Sequence, residues 1–434
     1  MKRITAIVMA VVMAAGMLLM TACESGMMGS AKVSQASAGS VETEDLSSGY
    51  VHKSLEEDEP CPLEIRRALA RLSLDMFQKT AIYGENKNVL ISPDSLMVSL
   101  AMVENGAKGK TLEEIQNATS GVSSNDFNEA LAALNDRLMS AEVPVFTSAN
   151  SIWVKGGSMK VRDDFVQKNK ELHDASLFAA PFDGSTVKDM NEWIAENTNG
   201  KIKDAVNGLE PHDVMVLINA VAFDGKWKDP FEEGQLNKKG SFTTEDGKKQ
   251  KCTMMNDSED VFIELNGGTG FVKPYKGEET VFVGILPPEG MSLDDYIARL
   301  NGDDFLDAWD NRDRCAVVDL SIPKFEYEYE QDMNNVLQDL GIKTAFSQEA
   351  DFTGINEPVP HIPPLSINKV FHKAHITVDE DGTKAEAATI TSLRYMARPR
   401  QNVKTVKLDR PFVYAIVDVN TGMPLFIGAV RTMK

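Results

Sequence analysis

Apolar side chains recur at helical spacing in the early part of the chain and at strand spacing after it. Ile65, Leu69, Leu72 and Met76 lie three or four residues apart and predict a helix with one buried face. Ser92-Pro93 predicts the start of a second helix. A hydroxyl suits the N-cap there, and proline suits the first helical position because its missing N–H costs nothing. Thr111 and Glu114 have the spacing of a capping box and predict a third start, while Phe127, Leu131, Leu134 and Leu138 mark the buried face of a fourth helix. Strand-like runs follow at 214–223, 281–286, 316–322, 412–419 and 425–430. The last two flank Asn420-Thr421-Gly422, a sequence that tolerates the positive φ of a tight hairpin. Both are apolar at nearly every position, so burial on both faces is expected. Helices and strands come in long blocks without regular βα alternation, which predicts a large α+β domain with more than one sheet. There is no internal repeat, and no linker divides residues 61–434.

One stretch alternates without joining any obvious core. From Glu380 to Met396, one strand face would carry Thr383, Ala385, Ala387, Thr389, Thr391 and Leu393, all uncharged and mostly small. The other carries Lys384, Glu386, Ser392 and Arg394. Such a segment can slide between existing strands without burying an unpaired charge. An ordinary exposed Ala/Thr loop would show the same letters.

The N-terminus reads as targeting. Lys2 and Arg3 precede an apolar run from Ile4 to Met20, too short for a confident membrane span. Leu18-Leu19-Met20-Thr21-Ala22-Cys23 resembles a bacterial lipobox, which makes 1–22 a lipoprotein signal peptide and Cys23 the lipid-bearing new N-terminus. Met20 departs from the usual Leu, Val or Ile, and a plain secretory signal is the other reading. Either way the mature chain leaves the cytoplasm, anchored on the periplasmic side or at the cell surface, or secreted. Residues 23–60 are rich in Ser, Gly, Ala and acidic residues and predict a flexible tether. The folded domain is then 61–434.

Composition removes several function classes. At 434 residues and 42% hydrophobic content, the chain has ample material for a core. A formal net charge of -20 argues against nucleic acid or anionic lipid as partners, since both reward clustered Lys and Arg. The membrane is expected only through the lipid anchor. His372 and His375 lie in a strand-like run, where a spacing of three points to opposite faces, so no metal and no cofactor is expected. With Cys23 acylated, Cys61, Cys252 and Cys315 remain, too few and too scattered for a disulfide framework, although a single bridge stays open. No nucleophile elbow, zincin helix or phosphate loop is present, and an enzyme is not expected.

Motifs spread over residues 61–434 together resemble the serpin family. In family order they are Asn88-Val89-Leu90-Ile91-Ser92-Pro93-Asp94-Ser95, Gly106-Ala107-Lys108-Gly109-Lys110-Thr111, Asn191-Glu192-Trp193 with Thr198-Asn199-Gly200-Lys201-Ile202, and Leu217-Ile218-Asn219-Ala220 with Gly225-Lys226-Trp227. Then come Phe242 before Met254-Met255, Ala350-Asp351-Phe352-Thr353-Gly354-Ile355, Asn368-Lys369-Val370-Phe371-His372-Lys373-Ala374, the alternating segment, and Leu408-Asp409-Arg410-Pro411-Phe412.

The resemblance implies an α+β fold of three β-sheets and about nine helices, with Glu380 to about Asp409 as an exposed reactive-centre loop. It implies a suicide-substrate inhibitor. A protease cleaves the loop, whose N-terminal part then enters the main sheet as a strand and drags the acylated protease away before it can deacylate. In that reading Glu380, Gly382, Thr383, Ala385, Ala387 and Ala388 form the hinge, with Thr383 first to insert. Glu386 departs from the usual alanine, but on the outward face. Counting from Gly382 puts the reactive bond at Met396-Ala397, suited to elastase-like or chymotrypsin-like serine proteases and some papain-like cysteine proteases. Arg398 is the competing position and would suit trypsin-like enzymes, because a shift of two keeps the in/out alternation. Ser92, Ser95, Asn219 and His372 match the polar shutter cluster beneath the sheet. Trp227 and Lys324 match the breach at its top, where Lys324 is expected to pair with Glu380. A monomer is expected. Residues 120–142, which match the family's heparin helix, are not basic, so glycosaminoglycan activation is not. The alternative is a non-inhibitory member that acts as a cell-surface binding protein.

Overall fold

The structure is a computed structural model that describes residues 42–55, 60–84, 86–142, 145–157, 160–211, 213–357, 364–383 and 403–433. Among these residues nine α-helices form: α1 Leu63–Tyr83, α2 Pro93–Glu104, α3 Gly109–Ala118, α4 Ser124–Ser140, α5 Asp163–His173, α6 Gly184–Asn197, α7 Leu293–Ile297, α8 Gly302–Asp310 and α9 Asn334–Asp339. The expected faces are buried. Leu69, Leu72 and Met76 of α1 and Phe127, Leu131, Leu134 and Leu138 of α4 all point into the core, with Ile65 half-buried. Ser92 caps α2 as expected, its hydroxyl accepting the Ser95 N–H at 3.4 Å with Pro93 in the first turn. Every residue of α2 is buried.

The capping box at Thr111 and Glu114 does not form. Helix α3 begins at Gly109 after Lys108, which makes no side-chain cap. Both side chains serve the segment near 343–351 instead. Thr111 Oγ1 accepts the Asp351 N–H at 2.9 Å, and Glu114 accepts the N–H groups of Lys343 and Thr344 at 2.8 and 2.6 Å. The spacing was right for a cap, but a distant segment offered stronger partners.

The strands build three sheets. Sheet A runs β1 (Glu44–Asp45), β4 (Ser176–Ala180), β3 (Val145–Lys155), β5 (Met215–Lys226), β14 (Gly382–Thr383), β13 (Lys369–Val378), β12 (Phe325–Asp332). Sheet B runs β2 (Val89–Ile91), β17 (Pro424–Val430), β16 (Phe412–Asp418), β10 (Thr280–Leu286), β9 (Gly268–Pro274), β8 (Phe262–Leu265). Sheet C runs β15 (Val403–Lys407), β11 (Val317–Pro323), β7 (Lys249–Glu259), β6 (Leu236–Thr243). The architecture is therefore the α+β arrangement of three sheets and nine helices that the motifs implied.

Sheet A is covered on both sides, which explains why β5 reads as an almost unbroken apolar run. Leu217, Val221 and Phe223 face the main core, where α2 lies between β5 and β17. Val216, Ile218 and Ala220 face a second cluster with Trp153, Phe371, and Met190 and Ile194 of α6. The β16–β17 hairpin turns as expected, with Gly422 at φ +73 donating its N–H to Asp418 O at 2.9 Å.

Residues 42–55, expected as part of the 23–60 tether, lie along the domain. Glu44 and Asp45 pair with Ala179 and Phe178 at the edge of sheet A, and Leu46 N–H donates to Leu177 O at 2.8 Å. His52 Nε2 lies 2.7 Å from Asp136 Oδ1, whose other oxygen accepts the Leu55 N–H at 2.7 Å. Composition missed this because the attachment is made by backbone groups on an open strand edge and by polar side chains such as His52, neither of which needs an apolar segment.

Candidate functional site

The candidate site is the seam between β5 and β13 in the middle of sheet A. Its lower part is closed by parallel pairing from Lys369↔Val216 to Lys373↔Ala220. At the top β14 lies between the two strands, with Gly382 opposite Lys226 and Thr383 opposite both Gly225 and Val378. Between these points, residues 221–224 and 374–377 make no pairing with each other, and a narrow cavity lined by Ile202, Ala222, Phe223, His375 and Thr377 opens there.

The hinge is seated by converging bonds. Trp227 is buried; its backbone N–H donates to Asp381 O and its indole Nε1 to Asp379 O, both at 2.9 Å. Phe231 N–H donates to Glu380 O at 2.9 Å, and Asp379 Oδ1 accepts the N–H groups of Asp381 and Gly382. The expected ion pair of Lys324 with Glu380 is present. Partial burial, the largest single influence, would raise the Glu380 carboxyl, but the Lys324 ammonium, the residue's own backbone N–H and Lys238 together hold the group below its ordinary range. Gly382 is obligatory here. Its φ is +156, and a Cβ would sit 2.1 Å from Gly225 O.

Below the seam, the four predicted shutter residues come together only in part. Ser92 N–H donates to His372 Nε2 at 3.2 Å and Ser92 Oγ donates to Leu425 O at 2.8 Å. Burial pushes the His372 imidazole down to about 4, so it is neutral at pH 7 and carries its proton on Nδ1. Asn219 pairs in register with His372 but sends its side-chain amide to Asn150 Oδ1 at 2.5 Å. Among the described residues, Ser95 Oγ, Asn219 Oδ1 and His372 Nδ1 are buried without a hydrogen-bond partner. His375 points away from His372 and meets Glu326 at 3.1 Å, as strand alternation requires.

Three residues of the site carried no signal in the sequence. Asn150 stands in β3, directly across from Asn219. Tyr275 is fully buried behind the hinge, and its hydroxyl lies 2.6 Å from Thr383 Oγ1. Lys273 is buried between Asp257 Oδ2 at 2.9 Å and Glu259 Oε1 at 2.8 Å, with its ammonium 4.6 Å from the Phe231 ring centre. In the text Lys273 looks like a surface residue, and only the fold turns it inward. Among the described residues, Cys252 and Cys315 are free thiols. Cys23, Ala385, Ala387, Ala388, Met396, Ala397 and Arg398 lie outside the described residues.

Comparison with known proteins agrees along the chain. The family model "Serpin (serine protease inhibitor)" matches residues 67–433. An uncharacterized serpin-like protein of Thermococcus kodakarensis is 31% identical over 85% of both chains. Alpha-1-antiproteinase 2 of Equus caballus is 30% identical over 86% of this chain and 88% of its own. The native-state crystal structure of Tengpin, a thermophilic serpin, superposes with a TM-score of 0.82 at 38% identity, over 90% of this chain and all of the other.

Proposed function

Because the chain belongs to the serpin family of serine protease inhibitors, we propose that it inhibits a protease by offering its reactive-centre loop as substrate and then taking the cut loop into sheet A. The observation that carries this reading is β14, the first two residues of the loop strand, already paired between β5 and β13. Extending that register sets Lys384 to Ala387 opposite Asp224 to Val221 on β5 and Thr377 to Ala374 on β13. These strand positions do not pair with each other, so this part of the insertion breaks no β5–β13 pairing. Ala388 is the first residue whose place is taken, by the Ala220↔Lys373 pair.

The same register gives the alternation a purpose. Ala385, Ala387 and Thr391 fall beside Phe223, Val221 and Leu217 of the main core, where small uncharged side chains suit burial. Thr389 falls between Asn219 and His372, whose buried Oδ1 and Nδ1 are in want of partners. Ile390 falls beside Ile218 and Phe371 in the α6 cluster. Lys384 and Glu386 fall beside Asp224 and His375, so the departure from alanine at 386 meets a complementary neighbour.

In the chemical step the protease nucleophile attacks the Met396 carbonyl carbon. The Met396–Ala397 bond breaks, Ala397 leaves as a free amine after taking up a proton, and Met396 stays esterified to the protease. Arg398 is the competing position for a trypsin-like target. Purified protein mixed with elastase, trypsin or papain is expected to give, with at least one of them, a complex that survives boiling in detergent. The mass of the released C-terminal fragment then identifies the bond. Cleavage by all three with no such complex would contradict inhibition and favour the binding-protein alternative.

The lipobox-like sequence supports anchoring through Cys23 on the outer side of a membrane. Full-length protein from a lipidating bacterial host is expected to partition into the detergent phase, and Cys23→Ser to stay in the aqueous phase. Equal partitioning would contradict the anchor.

A further inference from the structure

Tyr275 lies where the loop joins the sheet, and neither motif nor spacing marks it out. Its ring is fixed by packing that does not involve the hydroxyl. It stacks on Trp227 with centroids 4.6 Å apart and planes 7° from parallel, and it meets Phe223 edge-on at 4.9 Å. Trp227 in turn holds the backbone on both sides of the hinge bend, at Asp379 and Asp381. The phenol oxygen ends 2.6 Å from Thr383 Oγ1, and both residues are buried. A buried hydroxyl without a partner is costly, so the pair favours Thr383 in this slot over any position outside the sheet. Gly382 allows the two backbones to approach, since a Cβ there would collide with Gly225 O, and Gly225 leaves room for the Phe223 and Tyr275 rings, which a Cβ there would strike.

We propose that Tyr275 is a positioning residue that pins Thr383 in the first slot of the inserting strand, so that insertion starts from a seated end and outruns deacylation of the bound protease. This rests on the loop-insertion reading above. Thr383 keeps its place opposite Gly225 and Val378 as the strand extends, so the pin holds both before and after insertion. It therefore acts on the rate of insertion rather than on the stability of the inserted product. Without it, the strand must first find its register, and more of the acylated complex is lost to hydrolysis.

The test uses the mature chain as wild type, Tyr275→Phe, Thr383→Val, the double variant and Thr383→Ser, with pancreatic elastase as the probe. Tyr275→Phe keeps the ring and removes only the oxygen. In the uncut protein, amide hydrogen exchange across Asp379–Thr383 is expected to accelerate about fivefold in Tyr275→Phe, the loss of one hydrogen bond. The moles of inhibitor consumed per mole of elastase trapped should rise about twofold or more in each single variant, no further in the double variant, and not at all in Thr383→Ser. Unchanged exchange overturns the pin, and so do faster exchange with unchanged consumption or additive effects in the double variant. If the wild type traps neither elastase, trypsin nor papain, the inhibitor reading fails separately. The exchange measurement still decides whether Tyr275 seats Thr383.

Discussion

At the residue scale, the buried titratable groups under sheet A set how the molecule responds to pH. Asp94 is the second residue of α2 and fully buried. One carboxylate oxygen accepts from Asn135 Nδ2 at 3.1 Å and the other has no partner among the described residues. Burial, reinforced by the charge of Asp418, pushes its carboxyl up to about 7. A raised folded value means that the native state binds the proton more tightly, so stability is lost as pH rises from the unfolded value of 3.8 towards 7. His372 works in the opposite sense. Its folded value near 4 means stability is lost as pH falls from about 6.5 to 4. Asp94→Asn should therefore raise the thermal midpoint at pH 8 much more than at pH 5, with the gap between the two reflecting about 3 kcal/mol. Equal gains at both pH values would show that Asp94 is not the group that titrates.

At the scale of elements, helices and long strands were legible where one period dominated. The α1 and α4 faces and the β5, β10, β11, β16 and β17 runs are near-continuous records of which side is buried. What the letters hid was made by backbone or by distance. Strand β1 is two acidic residues, and it exists because β4 offers an unpaired edge. The Thr111–Glu114 spacing matched a cap, but the side chains turned to a segment more than 200 residues away in sequence. The hinge ion pair of Lys324 and Glu380 followed from the family motifs. Tyr275 meets Thr383, Asn150 meets Asn219, and Lys273 lies between Asp257 and Glu259 beside Phe231, through tertiary contacts that no local pattern encodes.

At the scale of the whole molecule, the proposed mechanism requires that sheet A accept one more strand. The β5 and β13 strands are closed below and wedged by β14 above, and Asn219 Oδ1 and His372 Nδ1 are buried without partners among the described residues, which Thr389 would supply under the proposed insertion. Under the proposed mechanism the native state is held by a barrier, and its lifetime rather than its equilibrium stability is what selection can set. Cutting the loop is then proposed to remove that barrier. Thermal unfolding of the intact protein and of the protein nicked at the reactive bond, compared in the same buffer, tests this most directly. The nicked form is expected to melt tens of degrees higher, because the inserted strand adds a full ladder of hydrogen bonds and buried side chains to the sheet. A nicked form that melts at or below the intact midpoint would contradict the account.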